Sequence, residues 1–170
     1  MIGVEGDGLA VSGALDLTMG GPAVKHFKQG PGPQLTPALD YADYDWAKPG
    51  VARRSIYRCV WRGIADPFME ALDFPDLGLL SPVRGFSTSS LQALTLYNND
   101  FVLYHSEAIA KRAQAEAKSL EKQTSRAVQL VWLRGPTALE QTEFTQFVRA
   151  QGLPALCRLL LNSNEFLFID

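Results

Sequence analysis

The sequence predicts a mainly α fold: a bundle-like domain of about six helices with one small β-hairpin, with α+β as the alternative. Three observations carry this. The chain has 170 residues, 46% apolar and 20% charged, the size and balance of one globular core, and folding at that length buries roughly 70% of the extended chain's surface. Its C-terminal part holds helix starts, stops and apolar stripes at helical spacing. Strand-like patterning is confined to the stretch between residues 39 and 62. Residues 1–170 are therefore read as one domain. Within it, 1–50 form an irregular N-terminal arm and first hairpin strand, 51–100 a core block, and 101–170 a helical support.

Taken in order, Gly3, Gly6, Gly8 and Gly13 argue against a helix at the N-terminus, since glycine costs about 1 kcal/mol in a helix interior. Gly20-Gly21-Pro22 breaks the backbone, and QGPGPQLTP marks a surface connection. A short strand is predicted over Leu39–Tyr44, and Lys48-Pro49-Gly50 turns the chain into a second strand, RSIYRCVWR. Alternation along that strand puts Tyr57, Cys59 and Trp61 on a core face and Arg54, Ile56, Arg58, Val60 and Arg62 on the other.

Asp66-Pro67 starts a helix, with Asp66 as cap and Pro67 where a missing N–H costs nothing. Phe74-Pro75 ends it. Ser81-Pro82 leads an extended piece through Arg84, and Ser87 or Thr88 caps a helix over Leu91, Leu94 and Tyr97 that stops at Asn98-Asn99. Asp100 is expected to cap the next helix, over 101–122, and another is expected from Ser125 to Leu133. Thr137-Ala-Leu-Glu140 is a capping box. The helix it opens carries Phe144, Phe147 and Val148 and closes on Gly152 in a left-handed conformation. The last helix, ALCRLLLNSNEF, is apolar nearly all round except at Arg158, which places it at the centre of the bundle.

A net charge of −2 predicts no bulk affinity for nucleic acid. No window reaches the length of a membrane span, and the first residues lack the basic start and apolar run of a signal peptide. The two cysteines, Cys59 and Cys157, have no zinc, redox or haem-attachment spacing and are expected to fill core positions. Phosphate-loop, zinc-protease and serine-hydrolase signatures are missing, and the Gly-x-Gly of GVEGDG follows no strand. Asp40, Asp43 and Asp45 miss the spacing of a calcium loop. His26 and His105 are read as structural. No catalytic residue, no metal and no cofactor is assigned to this chain.

The arginines remain. Arg54, Arg58 and Arg62 share a face of the predicted strand and Arg84 can join them, a guanidinium row suited to sulfate, phosphate or carboxylate. In the competing reading Asp66, Asp73 and Asp76 pair with these arginines and fix the block.

As a set, RRSIYRCVWR, DPFMEALDFPD, PVR, SLQALTLYNNDFV and ALCRLLLNSNEFLFID resemble the C-terminal domain of unknown function, a Planctomycete-specific domain, of large cytochrome-c-type multidomain proteins. The likeness spans Leu9 to Asp170. The matching positions are Arg53, Arg54, Tyr57, Asp73, Pro75, Arg84, Gln92, Asn98, Cys157, Asn162, Glu165 and Phe166, and the resemblance gives none of them a role. Thr88-Ser89-Ser90 departs from the family's frequent Thr-Pro. The resemblance implies export to the periplasm or cell surface, a haem held in a separate domain, and a chain that is the C-terminal part of a longer protein. Its partners would be the preceding domains of that polypeptide, a partner protein, or a polysaccharide. The expected function is a non-catalytic structural or interaction module. The alternative is a carbohydrate- or anion-binding site, or a hydrolase, built on the arginines and Asp73.

Overall fold

The computed structural model describes residues 2–33, 36–41, 44–61, 63–64, 66–71 and 90–167. Among them are eight α-helices and one two-stranded antiparallel sheet, so the fold is mainly α with one small hairpin. The chain divides into two compact units, the first Met1–Gly6 and Leu15–Thr95, the second Asp7–Ala14 and Leu96–Asp170.

Contrary to expectation, the chain opens on a helix, α1 (Ile2–Ser12). Tertiary packing accounts for one of its glycines: a Cβ on Gly8 would lie 3.4 Å from the Phe101 ring, so glycine admits the aromatic side chain against the helix backbone. Gly13, at φ +78°, ends the helix, with the Ala14 N–H donating to the Leu9 carbonyl at 3.0 Å.

In the first unit the hairpin has a different pairing from the one expected. Strand β1 (Lys28–Gly30) pairs with β2 (Ala38–Asp40), in the register Lys28 with Asp40 and Gly30 with Ala38. Residues 54–61 form no ladder strand. A 3₁₀ turn at Ser55–Tyr57 interrupts the alternation, and the flanking residues make isolated parallel bridges, Arg53 to Asp16 and Arg58 to Val24. The predicted face sorting fails with it: Trp61 is 37% exposed and Cys59 only half-buried. Helix α2 (Pro67–Ala71) begins where its Asp-Pro start predicted. Phe27, Val51, Phe68 and Met69 are buried here, and the His26 Nε2 sits 3.0 Å from the Val51 carbonyl, its ring packed against Tyr44 and Trp46. The expected segment from Phe74-Pro75 through Arg84 to Thr88 lies outside the described residues.

Helix α3 (Ser90–Asn98) leads into the second unit. Asn99, not Asp100, caps α4 (Asp100–Glu116), its side chain accepting the Phe101 N–H at 2.9 Å. The long helix expected over 101–122 breaks at Ala117, and Ser119 caps α5 (Leu120–Trp132) five residues earlier than the predicted start. Helix α6 (Ala138–Gln151) has the predicted capping box, with Thr137 and Glu140 each taking the other's backbone N–H. Gly152 closes it at φ +87°, ψ 159°, a positive-φ region that favours glycine rather than the left-handed helical one expected. The last predicted helix splits at Asn162-Ser163 into α7 (Leu153–Leu161) and α8 (Asn164–Leu167). As its composition predicted, α7 is central: it packs on α4, α5, α6 and α8. Leu156, Cys157 and Leu160 are fully buried there with Ile109, Ala113, Ala127 and Val128. That burial pushes the Cys157 thiol up to about 12.

Candidate functional site

The turn at Ser55–Tyr57 decides where the first unit's arginines go. In a continuous strand Arg54 and Arg58 would share a face; the 3₁₀ turn separates them, and the side chains part company.

Arg53, at 8% exposure, is buried. Its guanidinium donates to the carbonyls of Thr18 at 2.9 Å, Pro22 at 3.1 Å and Gly20, and it stacks 3.9 Å from the Tyr57 ring centroid. Tyr57 completes the clasp, its hydroxyl accepting the Gly20 N–H at 3.0 Å. Gly20 and Gly21, at φ +77° and +81°, supply the left-handed backbone that folds these carbonyls around one guanidinium. Both ends of the clasped loop are pinned by backbone bonds: Asp16 N–H to the Ala52 carbonyl at 2.8 Å, Val24 N–H to the Tyr57 carbonyl at 2.7 Å and Cys59 N–H to the Val24 carbonyl at 2.7 Å. At the loop's start, the hydrogen bonds from Thr18 hold the Asp16 carboxyl below its ordinary range.

Arg58 forms a buried ion pair with Asp66, the two side chains 4% and 3% exposed. The carboxylate does two jobs: Oδ2 takes Arg58, while Oδ1 accepts the N–H groups of Phe68 at 3.0 Å and Met69 at 3.2 Å and caps α2. Arg54 differs from both. It is half-buried, its guanidinium lies 5.8 Å from the Tyr57 ring centroid, and among the described residues it has no carbonyl or carboxylate partner. Arg62, Arg84, Asp73, Asp76 and Pro75 lie outside the described residues. Of the predicted guanidinium row, then, Arg58 is taken by Asp66 and Arg54 stands apart from it.

Of the other matching positions, Asn98, Asn162 and Glu165 belong to the second unit and brace helix ends. Asn98 accepts from Arg158 at 3.1 Å. The same guanidinium donates to the Tyr97 carbonyl at 2.6 Å and stacks 3.7 Å over the Tyr97 ring, so α7 holds the end of α3. Asn162 donates to the Arg158 carbonyl at 2.7 Å at the end of α7. Glu165 pairs with Arg134, Oε1 to Nε at 2.6 Å and Oε2 to Nη2 at 2.9 Å. Arg134 also bonds both oxygens of Glu140 at 2.9 Å and packs 4.8 Å over Trp132, whose indole donates to Ser163 at 2.7 Å. Chiefly through Arg134, the Glu140 carboxyl is held down at about 2, and the pairing pushes the Arg134 guanidinium further up. Phe166 is buried, and Gln92 lies on α3 with its side chain outside the described residues.

The histidines have structural partners as well. His105 is buried between Phe101 and Tyr104, ring centroids 4.4 and 5.2 Å away, with Nδ1 2.9 Å from the Ser12 hydroxyl, which itself donates to the Leu9 carbonyl. Burial lowers its imidazole to about 4. One turn pair further along α4, Arg112 donates to the Val11 carbonyl at 2.8 Å, so two α4 side chains grip the end of α1. Asp45 closes a turn by accepting the Ala47 N–H at 3.0 Å, Asp40 ends β2, and Asp43 lies outside the described residues. Among the described residues, no helix is long and apolar enough to cross a membrane.

Sequence reasoning missed Arg112 and Arg134. Arg134 had a faint signal, an arginine in the Gly-Pro corner just before a capping box. Arg112 had none, because its partner carbonyl lies 101 residues away. A family model, PSD1, a protein of unknown function (DUF1553), matches residues 4–148. No curated protein and no solved structure matches the chain.

Proposed function

The chain belongs to the PSD1 family of unknown function, DUF1553, and from that premise we propose that it is a non-catalytic structural or interaction module of an exported multidomain protein. One observation carries the reading: among the described residues of the first unit, the most buried guanidinium groups are spent on the protein's own groups, Arg53 on three carbonyls and Arg58 on Asp66. A guanidinium so engaged has few donors left for a substrate, and removing it from its partners would leave buried polar groups unpaired. The clasp gives such a module a surface to offer, because the clasped loop holds Leu17 and Met19, and the adjoining turn Ile56, all strongly exposed. Exposed apolar groups on a rigid frame suit contact with another domain or a partner protein.

The test is turnover by the purified chain on neutral and sulfated glycosides. The reading expects none above buffer; turnover lost in Arg54→Ala or Arg84→Ala would overturn it. A second reading, an anion site for a sulfated polymer, draws on Arg54 alone among the described arginines of the row, since it lacks a protein carboxylate. Salt-sensitive binding of dextran sulfate that Arg54→Ala abolishes would favour that reading.

A further inference from the structure

The first unit also carries a groove of about 610 Å³ that uses none of the arginines just described. Two separate pieces of chain wall it. Strand β1 provides Gln29 and Gly30, its connection to β2 provides Pro31, Gly32, Thr36 and Pro37, and the segment after the 3₁₀ turn provides Trp61. The two described arms of the connection lie close together. A Cβ on Gly32 would fall 2.2 Å from the Thr36 carbonyl oxygen and 2.8 Å from the Ala38 nitrogen, so the two arms meet backbone to backbone where only glycine fits. Gly30 pairs with Ala38, and the Thr36 N–H donates to the Pro33 carbonyl at 3.0 Å. Pro31 and Pro37 stiffen the arms by fixing φ. A rim set in advance lowers the ordering cost of binding.

The lining restricts the chemistry of an occupant. None of the described lining residues is charged, so the lining itself offers an ion no opposite charge. Trp61 is 37% exposed and presents indole surface at the wall. The Gln29 amide oxygen is engaged by the Lys25 ammonium at 3.2 Å, which leaves its NH₂ to donate, and the Thr36 hydroxyl both donates and accepts. An aromatic face beside an uncharged amide and a hydroxyl complements a molecule with an apolar C–H face and neutral hydroxyl edges, as a pyranose ring has. The volume lies within the range of small-ligand sites.

We propose that this groove is a subsite for neutral pyranose units of a saccharide, stacked on Trp61 and hydrogen-bonded by Gln29 and Thr36. This goes beyond the proposed function and does not depend on it, because a module without catalysis can still hold a glycan.

The experiment titrates the full chain with neutral cello-, xylo- and chito-oligosaccharides, following the Trp61 indole N–H by NMR. Dextran sulfate and a proline-rich peptide form the comparison arms. The expected result is saturable movement of that signal by at least one neutral saccharide. Trp61→Ala should weaken binding about tenfold or more, Trp61→Phe should retain most of it, and Gln29→Ala should cost a few-fold. Should Trp61→Ala not fold, Gln29→Ala and Thr36→Val carry the test. The proposal is overturned if no neutral saccharide binds at millimolar concentration, if binding survives in all these variants, or if the groove takes only the sulfated polymer or the peptide. Hydrolysis of a bound sugar that Trp61→Ala abolishes would sink the non-catalytic reading yet support the groove.

Discussion

The two units differ in where they keep their arginines. In the first, where the described regular elements are three to five residues long outside α1 and α3, Arg53 and Arg58 are buried and bind carbonyls and a carboxylate. In the second, Leu156, Leu160 and Cys157 of α7 supply the interior, while Arg134, Arg149 and Arg126 form ion pairs at the surface and Arg112 and Arg158 hold carbonyls at helix ends from outside the core. Short irregular segments leave backbone carbonyls without ladder partners, and a buried guanidinium satisfies several at once. A helix satisfies its own carbonyls, so apolar side chains can fill its core and charges can stay outside. Where an arginine acts as scaffold, its substitution should unfold the region rather than abolish a reaction.

The sharpest way to break this contrast is Arg58→Leu. It strands the Asp66 carboxylate in the interior and should cost about 3–5 kcal/mol in denaturant unfolding. Asp66→Asn in the same chain should recover part of that loss, because Asn still caps α2. A loss no larger than a surface pair's would remove the distinction between the units. In the second unit Leu160→Ala should cost about 3 kcal/mol by opening a cavity at a fully buried position.

A pH series sharpens the comparison. Burial holds the His105 imidazole at about 4 when folded, against an ordinary 6.5. The unfolded chain therefore binds the extra proton first as pH falls. The stability from neutral His105 is fully present above about pH 6.5 and is lost progressively down to about pH 4, with an upper bound of about 3 kcal/mol. His105→Leu should flatten that part of the curve. The smallest effect is expected at Glu165→Gln. It weakens an exposed pair and should shift the unfolding midpoint less than Leu160→Ala does. Since Glu140 ionises down to about 2, the Arg134–Glu140 pair should show no step between pH 7 and 5.

How much of this could be read in the sequence followed the range of the interactions. The Thr137–Glu140 box and the Asp66-Pro67 start were legible because cap and N–H lie within three residues, and α7 because its composition is apolar nearly all round except at Arg158. The hairpin was misplaced: RSIYRCVWR alternates like a strand, but Arg53 answers to carbonyls 31 to 35 residues away. Helix α1 was missed because propensity counted its glycines as breaks, whereas packing against Phe101 accounts for Gly8. The fate of Arg53 was invisible for the same reason, since spacing indicates a shared face but not a partner across the chain, whereas the Arg58–Asp66 pair, eight residues apart, is the one the competing reading of the arginines named.

The central claim, that the first unit's arginines are scaffold, is tested most directly by amide hydrogen exchange in Arg53→Met. Asp16, Gly20, Val24 and Cys59 donate the N–H bonds that hold the clasped loop. Their exchange should quicken about tenfold or more as the loop opens, while the amides of α7, bonded within their own helix, serve as the control. Unchanged protection at those four amides, together with loss of binding to an anionic or saccharide ligand, would contradict the account and make Arg53 part of a binding site.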